Sequence, residues 1–489
     1  MAKLGMTAQP SIDRPVLWSS EDVIAATAGT ATGGFAAMGV SIDSRTVKPG
    51  DLFVALVGPN NDAHRFVPDA LAKGAAAAMV ARSRLADLPP DPRLVAVDDT
   101  QAGLEALGQA ARNRSAARIA GVTGSVGKTG SKEALRLALG ALAPTHASEA
   151  SYNNLWGVPL SLARMPVEAR FGVFELGMNH AGELGPLSRQ VRPHVAIILN
   201  VELAHAGFFS SIEAIADAKA EIFEGLEPGG TAVLNRDNEQ FARLERAAER
   251  AGVTRIFTFG THAGADARLK DCVLHPTLSC VTATIDGVEL TYKIGAPGRH
   301  WIINSLAVLG AVKLLGGDLG IAGLALAGMS APKGRGRRHV LPIGDGQLTL
   351  IDESYNASPV AMRAALDVLQ ATPVGPRGRR IAVIGDMREL GEQGEALHIE
   401  LAGEIERRGI DKVFTVGPLA AKLFEALPAA RRGARADTGG QLAAALVAAV
   451  RAGDVVMVKG SRGGGVKPAM EPLVEALLAL ADRPLRGGR

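Results

Sequence analysis

The segment GVTGSVGKTG at 121–130 constrains this chain more than any other. It follows the apolar run RIAGV and precedes KEALRLALGAL, so it reads as a strand, a glycine-rich loop and a helix. Gly124 and Gly127 let the backbone turn tightly, so that N–H groups along Thr123, Gly124, Ser125, Val126 and Gly127 can point at phosphate oxygens. Lys128 offers a positive charge to the outer phosphates and Thr129 a hydroxyl to Mg2+, while the dipole of the following helix favours an anion. The generic loop has a glycine five residues before Gly127, where this chain has Val122; its glycines are Gly121, Gly124 and Gly127. A glycine-rich turn that ends in Lys-Thr by chance is the bland alternative, and the flanking strand and helix argue against it.

The same alternation of strand and helix continues outward. FGVFELG, VAIILNV and TAVLNRD are apolar strands separated by helical stretches, which argues for a parallel sheet with helical crossovers. Between about 265 and 295 the pattern SCVTATIDGVELTYKI predicts an antiparallel excursion, followed by a helix through 301–316. LTLIDES, RIAVIGD, KVFTVG and DVVMVKG repeat the alternation near the C-terminus, after a Gly- and Arg-rich candidate linker, APKGRGRRHV, at 331–340. Upstream, DLFVAL (51–56) and RLVAV (93–97) are short strands, and a helix is expected to start near Ser19 or Ser20. A chain of 489 residues exceeds what one core supports. The expectation is an α/β protein of three domains. Residues 1–117 form an N-terminal α/β substrate-binding domain, 118–330 a central P-loop ATPase domain on a parallel sheet, and 331–489 a C-terminal Rossmann-like α/β domain. Ligands of open α/β sheets bind at the carboxyl ends of strands, where the polar residues of interest fall.

Charge and composition narrow the function. The net charge is only +3, without a long single-sign run, so nothing supports a nucleic-acid or membrane-surface role. Cys272 and Cys280 are too few for a disulfide framework or zinc cluster, and two buried reduced thiols are expected. The N-terminal stretch MAKLGMTAQPSIDRP lacks the apolar core of a signal peptide, and no apolar run reaches the roughly 20 residues a bilayer span needs. A cytoplasmic monomer is the expectation. An Asn-Lys-x-Asp guanine-reading motif is missing, as is a GxGxxG followed by an acidic residue; a regulatory GTPase and a dinucleotide oxidoreductase both lose ground.

The glycine spacing of TGSVGKT resembles the phosphate loop of Mur ligases and folylpolyglutamate synthetases. FELGMNHAGEL (174–184) resembles the Mur segment whose glutamate, here Glu175, binds Mg2+. NVELAHAGFF (200–209) resembles the segment that puts a histidine, here His205, beside a second metal. IDSRTVKPGDLFVAL (42–56) is similar to the uridine-nucleotide-binding opening, with Ser44 and Arg45 as contacts, and SYNNLWGVPLSL (151–162) places Asn153 and Asn154 near the muramoyl substrate. In GRHWIINSLAV (298–308), Asn304 stands where the family contacts adenine, and KGRG (333–336) supplies Arg335 as the linker arginine that approaches the ATP phosphates. LIDESYNASP (350–359), IGDMRELG (384–391) and VKGSRG (458–463) are most similar to the dipeptide-adding branch, with Asp352, Tyr355 and Asn356 helping to close the last domain. The Asp-Asn-Pro-Arg signature of the diaminopimelate-adding sister is absent. Departures include Glu353 for an aspartate, Ser358 for an asparagine, Ala63 for a glycine, and Gly130 where threonine is common.

The resemblance implies ATP-dependent joining of D-alanyl-D-alanine to a UDP-N-acetylmuramoyl-tripeptide through an acyl phosphate, with two Mg2+ ions. A sister ligase adding a single amino acid, or a folylpolyglutamate-synthetase-like glutamate ligase, is the runner-up. A non-catalytic nucleotide-binding scaffold is a third reading. In SSIEAIADAKAEIFEGL (210–226) the apolar stripe Ile212, Ile215, Ala216, Ile222 and Phe223 also contains Lys219. Periodicity alone favours a lysine that snorkels its ammonium to the rim. The resemblance implies instead a carbamylated Lys219 that serves a metal. Lys128, Glu175, His205 and Lys219 are thus the expected catalytic set, with Thr129, Glu175, His205 and Lys219 around the metals. His64, His180 and His398 are as readily structural.

Overall fold

A computed structural model of the chain describes residues 15–58, 61–202, 207–462 and 469–481. His205 lies outside the described residues. The chain divides into two compact units, Met1–Ala117 with His146–Gly172, and Arg118–Thr145 with Val173–Arg489.

The first unit is built on a five-stranded sheet in the order Thr30–Ala31, Leu94–Val97, Ala77–Ala81, Asp51–Val54, Gly39–Ser41. All its pairings but the first are parallel. The expected N-terminal helix spans Ser20–Thr27; Ser19 caps it by accepting from the Asp22 N–H, and Asp22 returns the bond to the Ser19 N–H. Residues 146–172, expected in the central domain, pack with this unit instead. Every residue of the helix Gly157–Ala163 is buried, and Leu160 and Ala163 join a core with Trp18, Leu52, Leu104 and Leu107. Trp18 Nε1 donates to the Ala163 carbonyl at 2.8 Å, while the Arg114 guanidinium covers the other side of the indole at 3.9 Å. A helix apolar all round needs cover on every side, and here the first unit supplies it.

His146 Nε2 donates to the Ser161 carbonyl at 2.7 Å in this unit, and loss of hydration lowers its pKa to about 4. The native state therefore resists protonation, whereas the unfolded chain takes a proton near pH 6.5. Stability from this group is complete above pH 6.5 and is lost as pH falls toward 4. The urea midpoint of the wild type is expected to drop more between pH 7.5 and 4.5 than that of His146→Gln, and equal drops would refute the assignment.

In the second unit, the strands Phe171–Glu175, Arg118–Thr123, Val195–Ile198, Thr231–Asn235 and Arg255–Gly260 lie side by side in that order. Pairings from Arg118–Thr123 to Arg255–Gly260 are parallel. Ala267–Leu274, Ser279–Ile285 and Val288–Ile294 then form the expected antiparallel extension. Cys272 faces Val281 and Cys280 faces Val273 across this ladder, so the two thiols point to opposite faces. Both are free and half-buried rather than buried.

A six-stranded sheet follows, in the order Arg337–Ile343, Gly346–Glu353, Val455–Lys459, Arg380–Gly385, Lys412–Val416, Arg432–Ala436. The presumed linker thus stops at 336. Arg337 and Arg338 start an antiparallel edge strand, and Arg338 donates to Thr372 Oγ1 at 2.9 Å rather than lying solvated. Among the described residues, no helix is long and apolar enough to cross a membrane.

Candidate active site

The loop between the strand Arg118–Thr123 and the helix Lys128–Gly140 takes its shape from two glycines. Gly124 has φ +153° and Gly127 φ +86°, a backbone that side-chain-bearing residues rarely adopt. Contacts with the segment after the neighbouring strand Val195–Ile198 then pin the loop. The Ser125 N–H donates to the Asn200 carbonyl at 3.0 Å and the Val126 N–H to Asn200 Oδ1 at 3.2 Å. Ser125 Oγ donates to the Glu202 carbonyl and accepts from the Glu202 N–H, both at 3.0 Å. Ser125 and Val126, expected to face phosphate, therefore already spend these N–H groups on Asn200. Asn200 and Glu202 went unassigned in the sequence, although both sit inside the quoted NVELAHAGFF segment.

Beyond the carboxyl ends of two neighbouring strands, Lys128, Thr129 and Glu175 come together. Thr129 Oγ1 donates to Glu175 Oε2 at 2.8 Å, and both side chains are buried. Lys128 Nζ donates to the Gly124 carbonyl at 2.7 Å, which folds its side chain back over the loop. Loss of hydration pushes the Lys128 pKa down; Glu175 opposes the shift and Arg335 adds to it. Lys219, on the helix Ile212–Ala220, is only 2% exposed, so it does not snorkel to the rim. Burial pushes its pKa well below the ordinary lysine value, and the charge of Lys128 pushes the same way. Lys128 and Arg335 thus bring two cationic groups to a region where Glu175 is the counter-charge that Lys128 feels, while burial favours a neutral Lys219.

The donor set suits Mg2+. Glu175 and the Thr129 hydroxyl offer hard oxygens of the kind that Mg2+ takes.

Asn304 lies on the helix Arg299–Leu314 against the loop; a Cβ placed on Gly127 would stand 2.5 Å from Asn304 Nδ2. In the last sheet Asp352 is buried, and its carboxylate accepts from the N–H groups of Gly334 (3.0 Å) and Ser354 (3.1 Å). Asp352 therefore shapes the turn that carries Arg335, whose guanidinium lies 4.1 Å from the centre of the Tyr355 ring. Lys459, from the VKGSRG motif but not singled out before, bridges Glu353 Oε2 at 3.1 Å and the Asn356 carbonyl at 3.0 Å. Glu353, the departure from aspartate, thus has a partner. His398 is structural: Nε2 accepts from the Met387 N–H and Nδ1 donates to the Gly394 carbonyl. His64 likewise accepts from the Ala81 N–H, while His180 pairs with Glu183 on the surface.

Ser44, Arg45, Asn153 and Asn154 belong to the first unit. Arg45 forks onto the Asp43 carboxylate at 2.7–2.9 Å, and the Ser44 carbonyl accepts from Lys73 Nζ. Asn154 Oδ1 accepts from the N–H groups of Trp156 and Gly157 where the buried helix starts. Asn153 is half-buried beside it.

Family models match nearly the whole described chain. These are the Mur ligase family catalytic domain over 37–120, the Mur ligase middle domain over 122–312, and the Mur ligase glutamate ligase domain over 336–462. The chain is similar to the UDP-N-acetylmuramoyl-tripeptide–D-alanyl-D-alanine ligase of Rickettsia prowazekii, with 33% identity over 87% of this chain and 92% of that one. The ligase of the same name from Escherichia coli is 35% identical over 77% of this chain and 81% of its own. Among solved structures, MurF from Acinetobacter baumannii superposes with a TM-score of 0.80 at 28% identity, covering 95% of this chain and 99% of that one. MurF from Thermotoga maritima in complex with ADP gives 0.73 at 27% identity, covering 91% and 98%.

Proposed function

This chain belongs to the Mur ligase family, and from that premise we propose that it joins D-alanyl-D-alanine to UDP-N-acetylmuramoyl-tripeptide while converting ATP to ADP and phosphate. The observation that carries the reading is the buried Thr129–Glu175 hydrogen bond, beside a Lys128 whose ammonium has lost hydration and feels Glu175 as its counter-charge. The arrangement serves transfer of a phosphoryl group rather than mere retention of a nucleotide.

A carboxylate resists attack by an amine because its leaving group would be oxide. Transfer of the γ-phosphoryl group to the terminal carboxylate of the tripeptide gives an acyl phosphate, whose leaving group is phosphate. The free amine of the dipeptide then attacks, and the adduct collapses to amide and phosphate. Lys128 neutralises charge gathering on the phosphoryl oxygens, and the N–H groups of the 123–129 loop other than those of Ser125 and Val126 hold the ATP phosphates. Thr129, Glu175, His205 and Lys219 would hold two Mg2+ ions, which supply Lewis-acid stabilisation of the phosphoryl oxygens when bound. A buried, neutral Lys219 amine can add CO2 and release a proton, giving an anionic carbamate whose oxygens suit Mg2+. Asn304 is assigned to adenine and Arg335 to the ATP phosphates. Ser44, Arg45, Asn153, Asn154, Tyr355 and Asn356 are assigned to the UDP-sugar peptide and to closure of the last domain. Domains of 1–117, 118–330 and 331–489, with 146–172 packed on the first, serve this division of labour in a cytoplasmic enzyme.

The test is phosphate release from ATP, Mg2+ and the UDP-tripeptide, with and without D-alanyl-D-alanine. Release that depends on the dipeptide, with a pentapeptide product by mass, is the expected result. Release supported by one free amino acid instead would keep the family and move the acceptor to a sister activity. No stimulation by either acceptor would remove the ligase reading.

A further inference from the structure

The helix Arg299–Leu314 packs against the phosphate loop and the start of the helix that follows it. Trp301 and Asn304 stand three residues apart on it and so share a face. Gly127 and Gly130 stand three residues apart opposite them. A Cβ on Gly130 would lie 2.5 and 2.6 Å from Trp301 Cη2 and Cζ3, and a Cβ on Gly127 would lie 2.5 Å from Asn304 Nδ2. No side chain fits where these two already sit. Lys128 and Thr129 lie between the two notches. A cavity lined by Ser131, Ile294, Trp301, Asn304 and Met329 adjoins the contact, so losing the indole would enlarge a void rather than let neighbours close in.

We propose that Trp301 is a positioning residue for ATP, seating its indole in the Gly130 notch so that Lys128 and Thr129 are held at a fixed height over the bound phosphates. The inference rests on the reading of 121–130 as the ATP site. It also gives the Gly130 departure a cause, because the facing helix fills the space that a side chain at 130 would need.

The test measures ATP affinity by calorimetry with Mg2+ present, on the full chain, alongside KM for the UDP-tripeptide and thermal melting. Trp301→Leu is expected to weaken ATP about tenfold and Trp301→Phe about threefold, with KM for the tripeptide unchanged within about twofold. Gly130→Ala should weaken ATP about tenfold or more by forcing the indole away. In Gly130→Ala/Trp301→Leu the added methyl has lost its clash, so the double variant should bind no more weakly than Trp301→Leu alone. Independent, additive losses would overturn the proposal. So would a Trp301→Leu protein that melts lower yet binds ATP as the wild type does, which is the behaviour of a purely structural tryptophan. Should Gly130→Ala fail to fold, the two Trp301 variants still decide. A wild type that binds ATP without dipeptide-dependent turnover would sink the acceptor reading and leave this one standing. A wild type that binds no ATP would sink both.

Discussion

Lys128→Met is expected to lower turnover by about a thousandfold while leaving the protein as stable as before, or slightly more so. The two halves of that result have one cause. In the free protein the Lys128 ammonium loses hydration and lies near Arg335 and Lys219, with Glu175 as the opposing charge. Its charged form is therefore held at a cost, and methionine keeps much of its length without that charge. The cost is recovered when phosphates arrive, because the same ammonium then faces anionic oxygens in a poorly hydrated site. Removing it forfeits stabilisation that grows as charge gathers on the transferring group, so kcat should fall further than ATP affinity. Stopped assays of phosphate release and a thermal melt check both halves. A variant that loses activity only because it melts at a much lower temperature would show that Lys128 holds the loop through its bond to Gly124 and does little else.

Lys219→Ala should lose roughly a hundredfold in turnover and still bind ATP. At 2% exposure, with Lys128 as the neighbour it feels, an ammonium at this position is disfavoured on two counts. Since the native pKa is depressed, the amine stays neutral down to a lower pH than an ordinary lysine, and only the neutral amine adds CO2. Activity should therefore fall as pH drops through that depressed value, and a CO2-depleted wild type should lose activity that bicarbonate restores. In Lys219→Ala, formate or acetate at high concentration should recover part of the turnover by placing a carboxylate in the vacated space. A variant with full activity would leave the chain a lysine with no catalytic part. If bicarbonate has no effect on the depleted wild type and carboxylates do not rescue the variant, the carbamate would have to be abandoned.

The elements and the shape of the glycine-rich loop at 121–130 were legible in the sequence because local rules specify them. Gly124 and Gly127 occur where φ is positive, Ser19 caps the helix that the pattern placed near it, and SCVTATIDGVELTYKI became the antiparallel extension. Each of these depends on neighbours within a few residues, or on a period of 2 or 3.6 that one strand or helix repeats. The Thr129–Glu175 bond was reachable only through a resemblance, since its partners are 46 residues apart and no local pattern links them.

Other features were settled by packing between distant segments. The pattern at 210–226 left Lys219 free to reach the rim; the surrounding elements buried it. The linker reading of 331–340 failed at Arg337, because the strand Gly346–Glu353, paired on its other side with Val455–Lys459, was available for pairing. Residues 146–172 went to the first unit because a helix buried on every side needs a core that it cannot carry in its own sequence. Gly130 illustrates the division. The sequence by itself determined that no side chain stands there, while the tertiary structure decided that the indole of Trp301 does. Backbone freedom and periodicity are local properties of a chain, whereas volume is excluded only by whatever folds up against it.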